Sequence, residues 1–202
     1  MVWAVILAAG ESKRMGEPKL VLPFRGTTMV EAVVDKVLAA GPTRVVVVVG
    51  GAATEVRAAL AGRPVQFVHN PDFAGGMLSS VQRGLRALPD EAEGALIVLA
   101  DQPLVPEAAI RAVLEAGRTG AKGLVVPVFR GRRGHPLYIA LSYRSEIEGL
   151  DPEVGLRQLL ARHPDDILEL EAGDPGLLED VDTPADYRRV SGAGPKGRRP
   201  KA

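Results

Sequence analysis

Short apolar runs rich in Val, Ile and Leu alternate with segments whose apolar positions recur every three or four residues. The runs fall at residues 2–8, 44–49, 65–69, 94–100, 123–129, 137–140 and 167–171. One of them, Val45–Val49, is valine throughout. A strand with no polar alternation is buried on both faces, as in the middle of a parallel sheet. Between the runs, Thr27 or Thr28 can cap a helix reaching Ala40. That helix would bury Met29, Val30, Val33, Val34, Val37 and Leu38 and stop at Gly41. Further helical patterns cover 54–60 and 77–88, the latter with Leu78, Val81, Leu85 and Leu88 as its apolar stripe. Pro106 suits the first turn of a helix ending near Gly117. Residues 155–162 and 183–190 complete the set, the last opened by Asp182 or Thr183 before Pro184. The alternation predicts an α/β fold with three layers, α/β/α, around a mostly parallel central sheet, as one domain over residues 1–190.

Composition narrows the chemistry. With 46% hydrophobic residues in 202, the chain can build a core, so wholesale disorder is excluded. Lys and Arg number 25 and so do Asp and Glu, which argues against a nucleic-acid partner. Residues 191–202 hold Lys196, Arg198, Arg199 and Lys201 and no acid, and are expected to form a disordered basic tail. Without those cations the body is mildly acidic, at about −4. The absence of cysteine removes disulfides, thiol catalysis and thiolate metal sites. His69, His135 and His163 show no ligand spacing. No apolar run reaches the roughly 18 residues that span a bilayer, and the first residues lack a basic lead. The expectation is a cytoplasmic protein with no membrane partner.

The first buried run leads into Leu7-Ala8-Ala9-Gly10-Glu11-Ser12-Lys13-Arg14-Met15-Gly16-Glu17-Pro18-Lys19. Ligands of open α/β sheets bind at the carboxyl ends of strands. Small residues there let a phosphate approach backbone N–H groups, and Arg14 and Lys19 can neutralise it. The spacing fits neither a P-loop nor a dinucleotide fingerprint, because five residues separate Gly10 from Gly16 and Pro18 precedes Lys19. The run 94–100 ends abruptly in Asp101-Gln102-Pro103, where Asp101 suits either a magnesium ligand or an ordinary turn. Asp182 suits helix capping as well as a metal. Between the third run and the third helix, Asn70, Gly75, Gly76, Ser79 and Ser80 form a Gly-rich turn that tolerates an anion. Gly131-Arg132-Arg133-Gly134-His135-Pro136 is a second anion-friendly turn.

At these residues the chain resembles a family. Leu-Ala-Ala-Gly-x-Ser-x-Arg-Met-Gly-x-x-Lys is similar to the triphosphate signature of sugar-nucleotide-type nucleotidyltransferases. Gly75-Gly76-Met77 with Ser80, Asp101-Gln102-Pro103, the Gly131–Pro136 turn and Asp182-Thr183-Pro184 together resemble the molybdenum-cofactor cytidylyltransferases. The departures are Phe73 where that family has Trp, Val81 where it has Leu, and Pro152-Glu153-Val154-Gly155-Leu156-Arg157 for its Gly-Asp-x-Gly-Ala-Arg. The resemblance implies a Rossmann-like nucleotidyltransferase fold and transfer of CMP from CTP to the terminal phosphate of molybdopterin-bound molybdenum, with release of pyrophosphate.

By the same resemblance, Leu7, Ala8, Ala9, Gly10, Arg14, Lys19, Asn70, Gly75, Gly76, Ser80 and Asp101 would hold the nucleotide. Arg14, Lys19 and Asp101 would be catalytic, and Arg132, Arg133 and His135 would orient the acceptor. Asp101 and Asp182 would bind Mg2+, with Mn2+ as the alternative, while Asp180 and Asp186 would remain solvated helix-end charges. A recipient molybdoenzyme is the implied protein partner. The rival readings are a guanylyltransferase, a cytidylyltransferase acting on another phosphorylated acceptor, and a non-catalytic molybdenum-cofactor chaperone. Two metal acids favour catalysis over carriage.

Overall fold

Every apolar run becomes a strand. In the computed structural model, which describes residues 1–12 and 15–191, the strands are β1 (Val2–Ala8), β2 (Pro23–Phe24), β3 (Thr27–Thr28), β4 (Val45–Val49) and β5 (Gln66–His69). Then follow β6 (Gly94–Leu99), β7 (Leu124–Phe129), β8 (Arg132–Arg133), β9 (Leu137–Ala140) and β10 (Ile167–Glu171). The helices are α1 (Met29–Ala40), α2 (Ala53–Ala59), α3 (Met77–Arg86), α4 (Glu107–Arg118), α5 (Arg144–Glu148), α6 (Leu156–Arg162) and α7 (Pro184–Ser191).

The main sheet runs β10-β7-β9-β6-β1-β4-β5, with β8 hung on β7. β5, β4, β1 and β6 are parallel neighbours, and β10 is parallel to β7. Only β9 and β8 run the other way, β9 between β6 and β7. The sheet is therefore mostly parallel, as the continuous apolar runs predict. Along β1, Val2, Ala4, Ile6 and Ala8 pack with α1 and α4, whereas Trp3 and Val5 pack with α3. Helices thus cover both faces, and the three-layer architecture follows from strand alternation.

One consequence governs the site. β7 and β6 are both antiparallel to β9, so their carboxyl ends share a sheet edge with those of β1 and β4. β10 follows β7, so the chain leaving β10 also emerges there.

Local details differ from the sequence expectations for identifiable reasons. β2 and β3 form a two-residue hairpin through Arg25 (φ 49°) and Gly26 (φ 93°), both left-handed as such a turn requires. It delivers Thr28 as the cap of α1. α3 ends at Arg86, short of the expected Leu88. Pro106 stands just before α4, as its extended N-cap, and not within its first turn. Ser191, where the tail is expected to begin, is the last residue of α7, and residues 192–202 lie outside the described residues. Among the described residues no helix is long and apolar enough to cross a membrane.

Two tests probe this packing. A Cβ on Gly84 of α3 would lie 2.3 Å from Val5 Cγ1 and 3.1 Å from Val48 Cγ2. Gly84→Ala should therefore cost about 1–3 kcal/mol in urea unfolding, despite the gain in helix propensity. At the α1 cap, the Thr28 N–H donates to Glu31 Oε2 at 2.7 Å and the Glu31 N–H to Thr28 Oγ1 at 3.4 Å. Bonds from Thr28, with Thr27 and the Arg63 guanidinium adding, hold the Glu31 carboxyl down to about 2. Its stabilisation is complete above the ordinary carboxylate range and lost as pH falls toward 2. The stability gap between wild type and Glu31→Gln should be constant at neutral pH and close between about pH 5 and pH 2; a gap that widens with acid would contradict the cap.

Candidate active site

The sheet edge gathers one cation and two acids that lie far apart in the sequence. Lys19 Nζ donates to Asp101 Oδ2 at 2.8 Å and to Asp182 Oδ1 at 2.8 Å. Lys19 is only 8% exposed, because the residues 19–21 form a tight turn folded against the sheet end. The Lys19 N–H donates to Ser12 Oγ at 3.1 Å, which ties that turn to the loop leaving β1. Burial alone would push the ammonium down, but Asp101 and Asp182 together hold it above its ordinary value.

Asp101 follows β6 directly. Asp182 arrives because the Val181 N–H donates to the Asp101 carbonyl at 3.0 Å. The helix-capping alternative for Asp182 is excluded by its neighbour. Thr183 Oγ1 accepts the Asp186 N–H at 3.2 Å, and Asp186 Oδ2 accepts the Thr183 N–H at 3.0 Å, a reciprocal cap for α7. The cap is thus complete without Asp182, whose carboxylate reaches Lys19 instead. Asp186 is consequently a capping residue and not a merely solvated charge. Asp180 departs from that expectation too, since its Oδ1 accepts from Gln102 Nε2 at 2.6 Å. Burial of its surroundings, with Asp101 and Asp182 close by, pushes the Asp180 carboxyl up.

A cavity of about 290 Å³ opens beside this triad, lined by Leu7, Ala9, Gly10, Gly76, Ser80 and Asp101 among others. A Cβ on Gly10 would meet nothing within 4 Å, so the backbone there faces open space. Gly76 has φ 95°, a left-handed conformation that favours glycine and starts α3 at the cavity wall. Ala8 packs on the opposite face of the sheet at 1% exposure. Gly75 ends the turn Phe73–Gly75, just outside the lining.

Asn70 has a different task from the nucleotide contact expected of it. It is 2% exposed, and its amide donates to Ser79 Oγ and Ser80 Oγ, each at 3.0 Å, while Oδ1 accepts the Asp72 N–H at 3.0 Å. It therefore shapes the turn that presents Ser80. Arg14 lies outside the described residues. The sequence reading passes over Gly50, where a Cβ would come within 2.6 Å of the Ala9 carbonyl and 2.8 Å of Phe73. This close approach lets the ends of β1 and β4 meet under Phe73. A Gly-Gly after a valine strand was the available signal.

A second cavity, of about 610 Å³, lies alongside. Val126, Leu137 and Leu160 give it an apolar wall, and Arg133, His135 and Arg157 a polar one. Met77 lines both cavities and stands between them. Arg133 Nε donates to Glu169 Oε1 at 2.7 Å, which orients it. Enclosure by protein pushes the His135 imidazole down to about 4, Asp101 opposing only weakly, so the ring is neutral at pH 7. Arg132 lies exposed on β8 and lines neither cavity, so the structure does not bring it together with Arg133 and His135. Gly134 is required by packing, since a Cβ there would lie 2.6 Å from the Leu177 carbonyl.

The triad has a stability signature. Lys19→Met would leave two carboxylates facing each other at side-chain exposures of 27% and 42%. The expected loss is about 2 kcal/mol in urea, below that of a fully buried pair. Added Mn2+ should recover part of it, and should fail to do so in Lys19→Met/Asp101→Asn/Asp182→Asn. An unchanged midpoint in Lys19→Met would contradict the pairing.

A family model for the MobA-like NTP transferase domain matches residues 4–167. Among curated relatives, the chain is 34% identical over 190 residues to nicotine blue oxidoreductase of Paenarthrobacter nicotinovorans, covering 90% of this chain and 92% of that one. It is 27% identical over 184 residues to molybdenum cofactor cytidylyltransferase of Escherichia coli, covering 91% and 92%. Among solved structures it is similar to Rv0371c of Mycobacterium tuberculosis, with TM-score 0.83 and 32% identity over 95% of this chain and 98% of that one. The same protein in complex with manganese aligns with TM-score 0.80 at 32% identity, over 96% of this chain and 99% of that one. With the family model spanning most of the sheet and its loops, the chain belongs to the MobA-like NTP transferases and is a nucleotidyltransferase of that family.

Proposed function

We propose that the protein transfers CMP from CTP to the terminal phosphate of a molybdopterin-type cofactor and releases pyrophosphate. The observation that supports this reading is that Asp101, paired with Lys19 and through it with Asp182, lines the smaller of two cavities of different character that share Met77. The smaller suits a nucleotide, with bare backbone at Gly10 and Gly76 for phosphates and Ser80 as a hydroxyl. The larger suits a flat heterocycle with an anionic end, set between its apolar wall and Arg133, His135 and Arg157.

Asp101 and Asp182 are hard oxygen donors, each 2.8 Å from the Lys19 ammonium, and two carboxylates so placed suit Mg2+ or Mn2+. Such an ion usually takes one or two carboxylates and completes its shell with phosphate oxygens and water. When bound, it would neutralise phosphate charge during the displacement. The chain's residues supply the rest. An oxygen of the acceptor phosphate attacks the α-phosphorus of CTP, the α–β phosphoanhydride bond breaks, and pyrophosphate leaves. That phosphate is already ionised at pH 7, so no general base is needed. Lys19 can exchange its carboxylate partners for triphosphate oxygens, with Arg14 assigned beside it by family resemblance. Neutral His135 orients the acceptor as a hydrogen-bonding group and not as a cation.

A second reading rests on the 34% identity to nicotine blue oxidoreductase. Under it, the larger cavity would accept nicotine blue, and a reductant would supply electrons. One experiment separates the readings. Purified protein with Mg2+ or Mn2+ is given molybdenum cofactor and CTP, GTP or ATP in turn, and separately nicotine blue with NADH or NADPH. Pyrophosphate release with CTP, at least tenfold faster than with GTP or ATP, is expected, and Asp101→Asn should lower it by about a hundredfold or more. Equal turnover with GTP would overturn the base assignment. Tight cofactor binding without release would favour the carrier, and bleaching of nicotine blue would favour the oxidoreductase.

A further inference from the structure

The two acids of the candidate metal site belong to segments 81 positions apart that must be brought into register. The Val181 N–H to Asp101 carbonyl bond does part of this. The Gln102 side chain does another part. It is 6% exposed, and its Nε2 donates to Asp180 Oδ1 at 2.6 Å. Its Oε1 is buried with no partner among the described residues. A buried amide with an unsatisfied oxygen is costly, and an apolar side chain of similar size would pack there more cheaply. Packing therefore does not explain a glutamine at this position, whereas its single polar contact reaches the segment that carries Asp182.

The surrounding turn is held elsewhere too. Lys36 Nζ donates to the Pro103 and Val105 carbonyls at 2.6 and 3.0 Å. A Cβ on Gly176 would lie 2.6 Å from the Leu104 carbonyl, so the chain after β10 presses against this turn. The turn is thus a fixed base, and the Gln102–Asp180 bond is a direct side-chain link from it to the strip ending at Asp182, beside the bridge that Lys19 makes between Asp101 and Asp182.

We infer that Gln102 and Asp180 form a clasp that sets the relative position of Asp101 and Asp182, making both positioning residues for the divalent ion. This rests on the metal role proposed above for Asp101 and Asp182. The clasp makes a prediction opposite to simple electrostatics. Gln102→Glu adds a negative charge near the ion, which by charge alone would tighten binding. It also sets a carboxylate against Asp180, which opens the clasp and should weaken binding.

The test is Mn2+ affinity of the full chain, followed by electron paramagnetic resonance, with thermal melts as a folding control. Groups that orient metal ligands typically contribute about 10–100-fold in affinity. Gln102→Glu should weaken Mn2+ binding by about tenfold. Gln102→Glu/Asp180→Asn, which restores the bond with donor and acceptor exchanged, should recover most of it. Asp180→Asn keeps an oxygen acceptor for Gln102 and should bind nearly as wild type. Asp180→Ala should be as weak as Gln102→Glu. These last two variants alter a residue outside the apolar core, so they serve if Gln102→Glu does not fold. Unchanged or tighter binding in Gln102→Glu, no recovery in the exchanged pair, or equal losses in Asp180→Asn and Asp180→Ala would overturn the clasp. Asp101→Asn is the reference: Mn2+ binding that survives it would overturn the metal role and the clasp together, whereas binding that it abolishes but Gln102→Glu spares would overturn the clasp alone.

Discussion

A buried ammonium held between two carboxylates is the constraint around which this sheet edge is arranged. Lys19 lies against the sheet end, where its charge is tolerated only with partners. Those partners come from the turn after β6 and from the segment before α7. Meeting that requirement closes the carboxyl edge of the sheet, because the chain leaving β10 must cross the Asp101 turn to deliver Asp182. The same crossing packs Leu177 against Gly134 and Gly176 against Leu104. The turn that holds Gly134 and the turn after β6 are thereby fixed against one strip of backbone.

The arrangement also concentrates charge in a chain whose net charge is zero. Arg133 and Arg157 line the larger cavity, and Asp101 and Asp182 converge on the Lys19 ammonium. Phosphoryl transfer between two anionic partners needs both signs close together in a fixed geometry. A parallel sheet suits this, since each strand delivers its loop to the same edge. Met77, at the start of α3, lines both the smaller and the larger cavity.

Much of this is legible in the sequence where the physics is local. Continuous valines specify a doubly covered strand, and small residues after β1 specify a loop that a ligand can approach. Thr27 or Thr28 is expected to cap α1, and Thr28 does so, with Glu31 completing a capping box. What is not legible depends on chain reversal. Strand β9 enters between β6 and β7 against the parallel grain, and four residues carry no mark of direction. Asp182 suits a helix cap as well as a metal until Thr183 is seen to fill the capping place. Asn70 resembles a ligand contact because polar residues in Gly-rich turns often are, yet its amide is used up on Ser79 and Ser80. Arg132 and Arg133 look equivalent in sequence, but strand alternation on β8 sends only Arg133 to the cavity. Asp180 and Gln102 are inconspicuous because their partnership spans 78 positions.

The most direct test of the central claim is a crystal structure with Mn2+ and a non-hydrolysable CTP analogue. The expected result is manganese contacting both Asp101 and Asp182, the triphosphate over Gly10, and Lys19 turned from the carboxylates onto phosphate oxygens. Nucleotide bound away from Gly10 and Asp101, or Lys19 still bridging both carboxylates with the analogue in place, would contradict it.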